Sequence, residues 1–208
     1  MNIENIIFDV DGTLWDSTGE VAKAWNLAVK ELGIECEEIT SDTLKREFGK
    51  PMNVIADHLF PSASAAEKER ALELCCMYEH EVLERCEENL LYPGVKETIQ
   101  ELAKTHKVCV VSNCQSGYIE LFLKKNQLEQ YVLDTECYGD TKKSKGENIR
   151  LLIERNHLQN CVYVGDTEGD CEAAKAAGIP FIFAAYGFGN VETFDKEIRD
   201  VRELLEIL

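Results

Sequence analysis

Five short apolar runs constrain this chain more than any other feature. They are Ile3–Val10, Val108–Val111, Tyr131–Thr135 (the weakest), Val162–Val164 and Ile179–Ala184. Continuous rather than alternating apolar runs suit strands buried on both faces of a parallel sheet. Helical patterns fall between them, at Val95–Lys104, Gly117–Lys125, Glu147–Asn156 and Gly169–Ala177. Pro93-Gly94 punctuates the start of the first, and Gly178 and Pro180 follow the last. This β-α-β-α order predicts an α/β fold, a three-layer Rossmann-like core around a parallel sheet.

The segment 16–91 interrupts that order and shows no convincing strand. Val21, Trp25, Ala28 and Leu32 recur at helical spacing, and Gly33 can end their helix. Ser41 can cap a short helix through Phe48, Met52–Leu59 suits another, and Ser64-Ala-Ala-Glu67 is a capping-box pattern for a long helix to about Glu88. The expected organisation is a core of residues 1–15 and 92–208 with an all-helical cap, 16–91, inserted after the first strand. Phe194–Leu208 is expected to close the fold as an amphipathic helix with Ile198, Val201, Leu204 and Leu205 facing the core.

Charge narrows the function. Thirty-nine Asp and Glu against 22 Lys and Arg give a formal charge of −17. That balance argues against nucleic acid, whose binders carry a basic patch, and against anionic lipid. No run approaches the length of a membrane-spanning helix, and MNIENIIFDVDG has no basic start or long apolar stretch of a secretory signal. The nine Cys form no C-x-x-C pair and read as reduced thiols of a cytoplasmic protein, with Cys76 and His80 a weak hint of a metal pair on one helix face. A protein this acidic that handles phosphate must neutralise it locally.

The strand ends carry the chemistry. Asp9-Val10-Asp11-Gly12-Thr13-Leu14 places two carboxylates two residues apart at the carboxyl end of the first strand, the edge where open α/β sheets bind ligands. Residues two apart share a side of a strand. Their carboxylates repel unless a cation lies between them or one is protonated. A divalent-metal site and a nucleophile beside a general acid both fit, and so does an Asp pair that merely caps a turn.

Ser112-Asn113 ends the second strand with a hydroxyl and an amide that suit either an oxyanion or a helix cap. Gly165-Asp166-Thr-Glu-Gly-Asp170 adds two carboxylates four apart. Lys145, at a helix start, is electrostatically misplaced unless it faces an anion, and Lys143 is the reserve. Acids for a metal and for attack, with a lysine for phosphate oxygens, are the parts that phosphoryl transfer needs.

These four segments resemble, in their order, the four motifs of the haloacid dehalogenase superfamily. The chain is most similar to its phosphoglycolate phosphatase-like and β-phosphoglucomutase-like members with a small helical cap. The resemblance spans nearly the whole chain. It implies that Asp9 is the nucleophile of an aspartyl-phosphate intermediate and that Asp11 is the acid and then the base. It implies one Mg²⁺ held by Asp9, the Asp11 backbone carbonyl and Asp166, with Asp170 in support. Ser112, Asn113 and Lys145 would bind the phosphoryl group.

The dehalogenases themselves carry an aromatic residue where this chain has Asp11, so phosphate chemistry is favoured over carbon–halogen cleavage. The Lys-Pro-x-Pro pattern frequent in the subgroup is absent from Lys143-Ser-Lys145-Gly-Glu, which leaves the choice of lysine open. Trp15, and the basic cluster Lys45, Arg46 and Lys50, are the candidate substrate contacts. The expected activity is a Mg²⁺-dependent phosphatase for a small phosphorylated metabolite, acting as a monomer or weak dimer. A sugar phosphomutase on the same scaffold is the alternative, followed by a non-catalytic phosphate sensor.

Overall fold

The first apolar run forms β1 (Asn5–Phe8), and the chain then leaves the sheet for four helices. These are α1 (Thr18–Leu32), α2 (Ser41–Glu47), α3 (Met52–Leu59) and α4 (Ala65–Arg85). It returns through α5 (Val95–Leu102) to β2 (Lys107–Ser112), α6 (Tyr118–Asn126) and β3 (Val132–Cys137). Then come α7 (Tyr138–Thr141), α8 (Lys145–Arg155), β4 (Cys161–Gly165), α9 (Glu168–Ala177), β5 (Phe181–Ala184), β6 (Lys196–Ile198) and α10 (Leu204–Ile207). This is a computed structural model, and it describes residues 3–208. The chain divides into two compact units, the first running to Asp16 and resuming over Leu90–Leu208, the second Ser17–Asn89.

In the larger unit the six described strands form one parallel sheet in the order β3-β2-β1-β4-β5-β6. Its two faces divide by the strand's two-residue alternation. Ile7, Cys109, Val111, Tyr163, Phe181 and Phe183 pack with Ile149 and Leu152 of α8 and Ala173 and Ala174 of α9. Ile6, Phe8, Val108, Val110 and Val164 occupy the alternate positions and are equally buried. Apolar side chains on both faces are why these strands read as continuous runs. β1 lies at the centre, and connections run outward from it in opposite directions, which makes its carboxyl end, beside that of β4, the topological switch point.

The two passages of chain at the edge of this unit run side by side. Asp16 N donates to Leu90 O (2.9 Å), Tyr92 N donates to Leu14 O (3.1 Å), and Trp15 and Leu91 form an antiparallel bridge. Backbone pairing therefore assigns Asp16, Leu90 and Leu91 to the sheet unit rather than to the helical insert.

In the smaller unit the apolar stripe of α1 is buried at Val21, Trp25 and Ala28, and Gly33 ends the helix at φ 67°. The Trp25 indole donates to Glu79 Oε2 at 2.7 Å, which ties α1 to α4. The capping box of Ser64 and Glu67 opens α4. The cap of α2 is Thr40, not Ser41. Thr40 has extended backbone and its hydroxyl accepts from Thr43 N at 3.1 Å, whereas Ser41 is already helical.

The C-terminal segment departs from the amphipathic helix that its pattern predicts. Lys196–Ile198 instead adds β6 to the edge of the sheet beside β5. Asp200, in extended conformation, then caps a single 3₁₀ turn, Val201–Glu203, by accepting from Arg202 N, and α10 is one turn long. Ile198, Val201 and Leu204 are buried as expected, while Leu205 is 44% exposed. An apolar spacing of three does not by itself distinguish a helix from a strand followed by a 3₁₀ turn, and the open ladder of β5 favours the strand. All nine cysteines are free thiols. Among the described residues no helix is long and apolar enough to cross a membrane.

Candidate active site

Parallel pairing brings the acidic segments together. Phe8 lies opposite Val164 in the β1–β4 ladder, and Asp9 N donates to Val164 O at 2.9 Å. Asp9 and Asp166 thus leave neighbouring strands side by side at the switch point. One turn into α9, Asp170 joins them. Ligand oxygens of Asp9, Asp166 and Asp170 all lie within 4.8 Å of one another, and all three residues are buried. Cys76 and His80 belong to no such group among the described residues.

Lys145, in the first turn of α8, crosses to this cluster. Its ammonium donates to Asp9 Oδ1 at 2.9 Å and to Asp170 Oδ1 at 2.6 Å, and it lies 5.9 Å from the centre of the Tyr163 ring. Lys145 is only 4% exposed, whereas Lys143 is on the surface. The lysine of the cluster is therefore Lys145.

Each acid is held from behind. Asp170 Oδ2 accepts from Asp166 N (3.2 Å), Thr167 N (3.0 Å) and Thr167 Oγ1 (2.7 Å). Asp166 accepts from the Thr13 hydroxyl (3.1 Å) and from Phe188 N (2.7 Å). Glycines clear the approaches. Gly12 has φ +85°, and a Cβ there would overlap the Asp166 carboxylate; a Cβ at Gly187 would overlap both Asp166 and the Gly12 carbonyl.

Burial governs the electrostatics. It pushes Asp9 up from 3.8 to about 7, with Lys145 pulling the other way and Asp170 adding repulsion. Burial likewise raises Asp166 well above the carboxylate range, with Asp170 and Asp9 adding to it. For Lys145, desolvation opposes the charge, but Asp170 and Asp9 overcome it and hold its pKa well above normal. With all three acids ionised, as a bound cation would favour, one ammonium leaves two negative charges, the complement of one divalent cation. Hard carboxylate oxygens are the donors that Mg²⁺ and its neighbours accept.

The Asp11 carboxylate lies outside the three-acid group, so any contribution to a metal falls to its backbone carbonyl. Its Oδ1 accepts instead from the Trp15 indole at 2.9 Å and the Tyr118 hydroxyl at 2.7 Å. Trp15, expected as a substrate contact, is fully buried and packs edge-on against Tyr118 and Phe122. Its one polar atom is used on Asp11, so it presents no surface to a ligand.

Ser112 ends β2 and Asn113 follows it, two and three residues past Val110, the partner of Phe8, at the same edge as Asp9. Lys45, Arg46 and Lys50 belong to the helical unit, where Lys50 pairs with Glu47 at 3.0 Å.

A family model described as haloacid dehalogenase-like hydrolase matches residues 6–184. The chain belongs to this family. A phosphoglycolate phosphatase of Shigella boydii is 31% identical over 231 residues, covering 96% of this chain and 88% of that one. A phosphoglycolate phosphatase of Aliivibrio fischeri is 26% identical, covering 96% and 92%. A haloacid dehalogenase-like family hydrolase from Streptococcus pneumoniae has the same fold, with a TM-score of 0.84 at 20% identity over 99% of this chain and 98% of that one.

Residues that hold the acids were less visible in the sequence than the acids themselves. Thr13, Phe188, Tyr118 and Tyr163 all bear on the cluster or on Asp11. The one signal for Phe188 was its position between Gly187 and Gly189, which sequence alone reads as a turn.

Proposed function

We propose that this phosphoric monoester hydrolase is a Mg²⁺-dependent phosphatase acting on a small phosphorylated metabolite, of the phosphoglycolate or sugar-phosphate kind. One observation carries the reading: a buried lysine bridges two of three clustered carboxylates at the switch point, a constellation that, fully ionised, is two positive charges short of neutrality. The names of the relatives favour phosphatase over phosphomutase chemistry.

Asp9 is the nucleophile. Its carboxylate oxygen attacks phosphorus as the bond from phosphorus to the leaving oxygen breaks, and Asp11 donates a proton to that oxygen. Water then attacks the aspartyl phosphate, giving its proton to Asp11 and releasing inorganic phosphate and free Asp9. Lys145, with Ser112 and Asn113, binds the phosphoryl oxygens, and the lysine's two carboxylate partners keep it charged for that purpose. Asp9, Asp166 and the Asp11 carbonyl would hold the cation, with Asp170 anchoring Lys145 and the loop after β4. The cation, when bound, supplies positive charge against the phosphoryl oxygens. Lys45, Arg46 and Lys50, of the helical unit, are the candidate residues for an anionic leaving group.

Turnover of p-nitrophenyl phosphate and of a panel of phosphorylated metabolites tests this. Multiple turnovers should vanish in Asp9→Asn, a loss of roughly a thousandfold or more. They should also stop in EDTA and resume with Mg²⁺. Indifference to chelation, or an active Asp9→Asn, would refute the reading.

A further inference from the structure

Two neutral donors converge on a single oxygen of Asp11. The Tyr118 hydroxyl reaches Oδ1 at 2.7 Å and the Trp15 indole N–H at 2.9 Å. A carboxylate oxygen offers about two acceptor directions, so this pair takes up the capacity of Oδ1. The donors are themselves fixed. Trp15 is fully buried and Tyr118 is 2% exposed, their rings meet edge-to-face at 5.7 Å and 70°, and Phe122 closes on Trp15 at 5.0 Å. Gly117, at φ +85°, opens α6 directly before Tyr118 and sets where its side chain begins. Trp15 is tied to the sheet unit through its bridge to Leu91.

Three elements far apart in sequence thus agree on one torsion: the loop after β1, the strand-like passage at Leu91 and the first turn of α6. Packing alone would need only the rings. The convergence of both polar tips on one atom of Asp11 is what packing does not require.

We infer that Tyr118 and Trp15 are positioning residues for Asp11: their paired hydrogen bonds to one carboxyl oxygen fix the rotation at which it exchanges a proton with the leaving group. The inference rests on the reading of Asp11 as the proton donor to the leaving oxygen. A donor held this way has one orientation to offer, which is what efficient transfer needs.

A leaving-group series separates positioning from mere support. Ring-substituted phenyl phosphates share one shape and differ in the acidity of the departing phenol. Their kcat/KM values report the phosphorylation half-reaction, in which only poor leaving groups depend on the proton from Asp11. In Tyr118→Phe, which keeps the ring, the loss on the least acidic phenol should exceed that on p-nitrophenol by about tenfold or more. Trp15→Phe should steepen the same plot, and it carries the test if Tyr118→Phe does not fold. Equal losses across the series, or none, would overturn the inference. Asp11→Asn is the control. If it steepens the plot while Tyr118→Phe and Trp15→Phe run parallel to the parent, only the positioning role fails. If Asp11→Asn itself runs parallel to the parent, the proton-donor reading fails and the inference with it.

Discussion

Each of the two units buries a carboxylate against a tryptophan indole, and their surroundings differ. In the helical unit, Glu79 accepts from Trp25 and links two helices, among neighbours that carry their charges outward. In the sheet unit, Asp11 accepts from Trp15, and the same sheet edge carries Asp9, Asp166, Asp170 and Lys145, each under 5% exposed. The same contact is a cross-tie in one place and stands beside a crowded charge cluster in the other. Burying one partnered acid serves packing. Burying several that repel each other is tolerated where an ion or a substrate completes the balance.

The sharpest way to break this contrast is Lys145→Met. It strands Asp9 and Asp170 without their cation and should cost about 3–5 kcal/mol of stability in chelator, read by urea unfolding. Excess Mg²⁺ should recover part of the loss. A cost no larger than that of an exposed lysine would mean that the cluster is not held by its charges.

Gly187→Ala comes next. Its new methyl group collides with Asp166 and the Gly12 carbonyl, so Mg²⁺ affinity should fall by about 10–100-fold while the fold survives, as a calorimetric titration would show.

A pH series sharpens the comparison further. Folded Asp9 titrates near 7 against an ordinary 3.8. Between those values the folded state binds more protons than the unfolded, so the metal-free protein should lose stability as pH rises from about 4 to 7. Saturating Mg²⁺ should flatten that slope, because a bound cation favours the ionised form. Melting curves with and without the ion, at several pH values, check the sign. The smallest effect is expected in the other unit. Glu79→Gln keeps an acceptor for Trp25 and should cost about 1 kcal/mol, with no dependence on Mg²⁺.

How much of this was legible in the sequence depended on what kind of atom did the work. Side chains that act by their chemistry announced themselves. Asp9, Asp11, Asp166 and Asp170 end apolar strands or begin the next helix, and parallel pairing had to bring those ends together. The helical insert was equally plain, since its stripe of Val21, Trp25 and Ala28 has a helical period. The choice of Lys145 over Lys143 needed coordinates, because only they show that Ser144 is the cap, which puts Lys145 in the first turn and Lys143 outside the helix. Phe188 was hidden for a different reason: it acts through a backbone N–H, which every residue but proline supplies. Tyr118 looked like the apolar start of α6, and only its hydroxyl's reach across to Asp11 shows otherwise. The C-terminal strand was missed because an edge ladder decided what a three-residue spacing left open.

The bridge between Trp15 and Leu91 has a kinetic consequence. Asn5 must find Lys107 to begin the sheet, across an intervening stretch that would make such a pairing slow if the chain stayed open. Because residues 14–16 and 90–92 zip together, the excursion returns to its own doorway, and a helical insert that forms early shortens the search for the strands on either side. Splicing the doorway shut with a few glycines should leave a sheet that still folds.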